Sequence, residues 1–185
     1  MVREALTRLT EKDLVVATPQ RGFRVRELSV SDVQALAEAR AQIESLTLQL
    51  AIERGDIHWE TRVLASHHLL DKTPLLLDDG QCNGEWVARH QAFHRALLSG
   101  CGNPRLVELC LALRDCGELY RTWYRAVPDY GSHDIGEHRR LTDLTLARDS
   151  EAAVTLLRTH IERTPLKLVA YVAEHGAAPV QHPSS

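Results

Sequence analysis

Apolar positions along the chain fall into two regimes. Within residues 2–12, VREALTRLTEK, Val2, Leu6 and Leu9 lie on one stripe with Ala5 beside them, which predicts an amphipathic helix. Two short β-prone stretches follow, LVVAT and GFRVREL, around a polar turn holding Pro19, Gln20, Arg21 and Gly22. They predict a hairpin, with Gly22 supplying a permissive backbone. From Ser29 onward the spacing is helical. Ser29 and Ser31 are N-cap candidates for a long helix to about residue 54, and Gly55 is its expected stop. Further helices are predicted over about 58–71, 85–99, 104–126, 133–147 and 150–174. Pro74, the run DDGQCNG, Asn103-Pro104, the run VPDYGS and the link Arg148-Asp149-Ser150 separate them. Six helices with short connections predict a mostly α protein, an antiparallel helical bundle over about residues 30–175.

Composition narrows the class without naming a function. The chain has 185 residues, 44% hydrophobic and 25% charged, enough for one domain of ordinary size or one domain plus a fragment of another. A net charge of −3 gives no support for a chain-wide nucleic-acid surface, although a small basic element remains compatible with it. Cys82, Cys101, Cys110 and Cys116 show no C-x-x-C spacing and are expected as reduced thiols. The N-terminus is polar, and no apolar run approaches the roughly 20 residues of a membrane helix. These features predict a cytoplasmic protein with no membrane partner.

Ten histidines are a high count for this length, and most fall in or beside helical patterns. His90 and His94 are four apart in ARHQAFHRAL, so their rings share a helix face. His138 and His160 lie in the last two predicted helices, each among leucines at three- and four-residue spacing. Histidines on the core-facing stripes of three helices are what a metal site inside a bundle requires. The spacing alone leaves the alternative open: a histidine at the edge of an apolar face is commonly a hydrogen-bonded core or boundary residue, and i, i+4 pairs also occur on exposed faces.

The order of motifs adds a resemblance. VREALTRLTEKDLVVATPQRGFRV, residues 2–25, resembles the end of a GntR-family winged helix: recognition helix, then wing. EARAQIES, HQAFHRAL, EHRRLTDLTLARD and LLRTHI resemble the FadR-type C-terminal domain of that family, most nearly its CsiR-like repressors of glutarate and short-carboxylate use. The resemblance implies a partial winged helix over 1–28, an all-α effector-binding and dimerisation domain over 29–175, and a disordered tail over 176–185. It implies a divalent metal held by His94, His138 and His160. The family's acidic ligand position falls on His90, a departure that favours zinc, or nickel, over magnesium or manganese. A small carboxylate effector is then expected on the metal, with Arg40 and Arg121 as its cationic partners. Glu137, adjacent to His138, is expected to be solvated or a helix-start residue. For DNA the resemblance points to Arg3 in the recognition helix and to Arg21 and Gly22 at the wing.

Family winged helices have about three helices, and this sequence opens at the last, with Met1 where a proline usually stands. The winged helix is therefore expected to be incomplete and a poor clamp on operator DNA. The principal reading is a carboxylate-responsive repressor acting as a homodimer, and not an enzyme. Two others stand beside it: a stand-alone metal- and ligand-binding dimerisation module, and a helical metal-dependent hydrolase. The last lacks an H-E-x-x-H motif and an obvious general base.

Overall fold

The computed structural model describes residues 2–11, 15–18, 22–25, 29–124 and 134–175. Helix α1, Val2–Glu11, leads into strands β1, Val15–Thr18, and β2, Gly22–Val25. The strands pair antiparallel in the register Val15 to Val25 and Thr18 to Gly22. Gly22 opens β2 with φ of 85°, a backbone region that favours glycine, as the hairpin reading required.

The other long elements among the described residues are helices: α2 (Val30–Arg54), α3 (Ile57–Asp71), α4 (Gly84–Leu98), α5 (Pro104–Tyr124), α6 (Asp134–Leu146) and α7 (Ser150–His175). A 3-10 turn, Ser99–Cys101, extends α4. Where the flanking residues are described, predicted and observed ends agree within about two residues; the predicted end of α5 near 126, the start of α6 near 133 and the residues beyond α7 lie outside the described residues. The Ser29 side chain accepts from the Asp32 amide at 3.0 Å, Asp56 from Trp59 at 2.8 Å and Asn83 from Glu85 at 2.9 Å. Each satisfies an amide that has no partner inside its helix. The loop between α3 and α4 adds one antiparallel bridge, Leu76 to Cys82, around Gly80 at φ of 79°.

The end of α2 at Gly55 is set by packing. Gly55 has φ of −63° and ψ of 139°, an extended backbone open to any residue. Its small size is what matters, because a Cβ there would collide with the Trp59 ring. At Gly100 a Cβ would stand 2.8 Å from Trp59 Cδ2. The indole is thus wedged between the ends of α2 and α4, and its Nε1 donates to Ala96 O at 2.9 Å. Arg148, in the left-handed region at φ of 59°, covers the wedge from the α6–α7 link. Its guanidinium lies 5.3 Å from the Trp59 ring centre and donates to Gly55 O at 2.8 Å.

Helix α2 packs against α5 and α7, α3 against α4 and α6, and α6 against α7. The core between them includes Leu48, Trp59, Val63, Phe93, Leu97, Leu98, Leu141 and Leu157. Polar side chains are buried among the helices as well: Glu44 and Thr47 on α2, His90 and His94 on α4, Arg114 on α5, and His138, Thr142 and Thr145 on α6. Burying polar groups is costly unless they are hydrogen-bonded, paired or ligated, so the concentration of them in the core is the place to look for function.

Candidate metal centre

The four histidines singled out above meet. One ring nitrogen from each of His90, His94, His138 and His160 lies within 4.8 Å of the other three. His90 and His94 come from successive turns of α4, with Nε2 atoms 3.2 Å apart. His138 arrives from α6 and His160 from α7. Ring centroids stand 4.9 Å apart for His90 and His138, 5.1 Å for His138 and His160, and 5.6 Å for His94 and His160. Trp86, one turn before His90, stacks on its ring at 4.8 Å and 14°. His90, His94 and His138 are buried, and His160 is half-buried.

The donor set fits a transition-metal ion. Two nitrogens on a tetrahedral zinc at about 2.0–2.1 Å stand about 3.3 Å apart, close to the 3.2 Å between the His90 and His94 nitrogens. Imidazole ligates in its neutral form, and at His94 the surroundings favour that form. Burial holds the His94 pKa well below its ordinary 6.5, helped by the positive charge of Arg114 and by His138, His160 and Arg40. A carboxylate-poor, imidazole-rich set suits zinc, nickel or copper better than magnesium or calcium.

Beside this cluster sits a buried ionic group. Arg40 Nε donates to Glu44 Oε1 at 2.8 Å, and Arg114 Nη1 donates to Glu44 Oε2 at 2.8 Å. The Glu44 side chain is 0% exposed, Arg114 6% and Arg40 18%, so this is not a surface ion pair. Burial pushes the Glu44 carboxyl up, but Arg40 and Arg114 together hold it below its ordinary value. Arg40 was among the sequence candidates; Arg114 was missed. Its signal was a cation four residues after buried Cys110, on the core-facing stripe of α5.

Glu137 lies in the first turn of α6, as expected of a helix-start residue, but the solvated alternative is corrected. It is half-buried, accepts from His160 Nδ1 at 2.9 Å, and is paired with Arg163 through its other oxygen. Burial raises its pKa, yet the hydrogen bonds from His160 and Arg163 bring it down to about 2. The sequence reading missed this because Glu137 and Arg163 are distant in the chain and meet only through the packing of α6 on α7.

The remaining candidates are less informative. Arg121 lies in α5 and Arg3 in α1, and both side chains fall outside the described residues, as does Arg21 entirely. Gly22 is exposed at the start of β2. No disulfide joins cysteines among the described residues. Among the described residues no helix is long and apolar enough to cross a membrane.

The model of the FCD domain family matches residues 35–163, which take in Arg40, Glu44, Arg114, Glu137 and all four clustered histidines. The HTH-type transcriptional repressor GlaR of Escherichia coli K12 is 37% identical over 91% of this chain and 78% of its own length. The chain belongs to the GntR family of transcriptional regulators and carries its FCD domain. A second relative, the HTH-type transcriptional regulator BphR of Paraburkholderia xenovorans LB400, is 37% identical over 87% of the chain and 66% of its own length. Among solved structures, a GntR-type regulator from Rhodococcus sp. RHA1 superposes with a TM-score of 0.70 at 24% identity, covering 91% of this chain and 79% of that one. That likeness shows the fold. The regulator reading, and the expectation that the chain is not an enzyme, rest on the family and the named relatives. As a family member this chain is a regulator of the kind that binds operator DNA and carries a small-molecule-binding domain.

Proposed function

We propose that this GntR regulator is a cytoplasmic, homodimeric repressor whose bundle senses a small carboxylate at a metal ion held by His94, His138, His160 and His90. The observation that carries this reading is the convergence of four histidines from three helices next to a buried arginine pair. Zinc is the ion that best fits an all-imidazole set, with nickel second. When bound, the ion supplies a Lewis-acidic centre for a carboxylate oxygen.

The chain's own residues do the rest. Arg40 and Arg114 present guanidiniums whose planar fork matches a carboxylate, and Glu44 fixes their orientation through one oxygen each. An acid with two carboxylates, such as glutarate or a near relative, would engage both the histidine cluster and this arginine pair. Arg121, further along α5, is a second cationic candidate for the far end. Operator contact belongs to the N-terminal helix and hairpin, with Arg3 on α1 and Arg21 and Gly22 at the wing. The organisation is a winged-helix part over 1–28, an effector domain over 29–175 and a tail over 176–185. Effector binding changes DNA affinity only insofar as it favours one arrangement of the dimer over another.

The test is thermal unfolding of the full chain with a panel of short mono- and dicarboxylates, with and without chelator. A ligand that binds only the native state raises its stability by about 2.7 kcal/mol at 100 times its dissociation constant. The expected result is an upward shift with glutarate or a near relative that chelator abolishes. A melting temperature indifferent to both chelator and acids would refute the metal-centred sensor. Operator binding is measured in parallel as a function of salt, since phosphate contacts make it salt-dependent.

A further inference from the structure

Glu137 stands out because the sensor reading above gives it no role, although it is half-buried and forms hydrogen bonds to two residues of the next helix. Its neighbour His138 points into the histidine cluster. Consecutive residues on a helix project about 100° apart, so Glu137 is turned toward α7 while His138 faces the core. There it meets His160 and Arg163, one helical turn apart. Arg163 holds one carboxylate oxygen and His160 Nδ1 the other, so the carboxylate cannot rotate freely between them.

An ionised carboxylate only accepts hydrogen bonds. A neutral His160 bonded to it through Nδ1 therefore carries its proton on Nδ1. Its Nε2 is then the nitrogen with a lone pair, and one ring nitrogen of His160 lies within 4.8 Å of those of His90, His94 and His138. An unconstrained imidazole prefers the opposite tautomer, with the proton on Nε2, which cannot ligate through that atom. His160 is also the least buried of the four rings, so packing restrains it least.

We propose that Glu137 is a positioning residue for the metal centre: through the Nδ1 bond it selects the His160 tautomer that ligates through Nε2 and sets the ring's angle, with Arg163 anchoring the carboxylate. This rests on the metal reading above and adds to it a residue that never touches the ion. Partners of this kind change metal affinity by about 10–100-fold when removed.

Two measurements on the full chain test it. The first is nitrogen-15 NMR of the histidine-labelled, metal-free protein above neutral pH, with His160 assigned by its loss in His160→Gln. The wild type should show His160 protonated on Nδ1, and Glu137→Ala should return it toward Nε2 protonation. The second is zinc affinity by chelator competition, where Glu137→Ala should bind about 10–100-fold more weakly and Glu137→Gln should fall between. Glu137→Gln keeps the shape of the side chain, so it carries the test if the alanine variant folds poorly. A wild type that binds neither zinc nor nickel overturns the metal reading itself. If the wild type binds either ion and both variants match it, or if the His160 tautomer does not respond, the positioning role is overturned and the metal reading stands.

Discussion

Replacing Glu44 with Gln preserves the volume of the side chain and removes its charge. In the native protein the carboxylate receives Arg40 on one oxygen and Arg114 on the other, each at 2.8 Å. An amide presents one acceptor and one NH2 group, so at least one guanidinium faces a donor instead of an acceptor. Removing one partner of a buried ion pair costs about 3–5 kcal/mol. Arg40 keeps 18% of its side chain exposed and can turn to water, whereas Arg114 keeps 6%. The cost therefore centres on Arg114 and falls toward the lower end, about 3 kcal/mol. For a chain of this length that is about 6–12 °C in Tm. Urea unfolding at neutral pH gives the free energy, and the cycle with Arg114→Met should show a coupling above about 1 kcal/mol. Acid provides a second axis. The Glu44 carboxyl lies below its ordinary 4.5 in the folded protein. Its contribution to stability is complete above 4.5 and is lost as pH falls through the lower folded value. The gap between wild type and Glu44→Gln should then close in strong acid. A gap below about 1 kcal/mol at neutral pH would show that water reaches this ionic group and that its burial has been misjudged.

Two further outcomes follow from the same geometry. Gly55→Ala places a methyl group against the Trp59 ring at a backbone position where alanine itself is unstrained, so the full loss is steric. It should lower stability by about 1–3 kcal/mol, and an unchanged urea midpoint would mean that the indole can shift aside at little cost. For the metal, His94→Ala should abolish tight zinc binding by equilibrium dialysis, while His90→Ala should weaken it and keep it measurable. Equal retention in both variants would remove the α4 pair from the centre.

Much of this was legible from local pattern. The ends of α2, α3, α4 and α5 are marked by Ser29, Asp56, Asn83 and Asn103, whose side chains cap amides two or three residues away. Such signals work within one turn of chain and survive any tertiary context. The helical period likewise placed His90 and His94 on one face, and it put His138 and His160 on apolar stripes. Gly55 was marked correctly as a boundary, although its backbone is extended and open to any residue. Its small size answers to the indole of Trp59, with Gly100 on the other side of the ring, and that closeness exists only after α3 has packed.

What the sequence by itself determined is the inventory of helices, their boundaries and the faces on which the four histidines lie, because these depend on residues a few positions apart. Which faces point at each other was decided by packing. Glu44 and Arg114 are 70 residues apart, and His160 and Glu137 are 23 apart on different helices. No periodicity links such pairs. They are joined because burying the apolar stripes of α2, α5, α6 and α7 carries the polar groups beside those stripes inside as well, where each must find a partner of opposite character. Only the closed bundle therefore shows Arg114 beside the cluster and Glu137 behind His160.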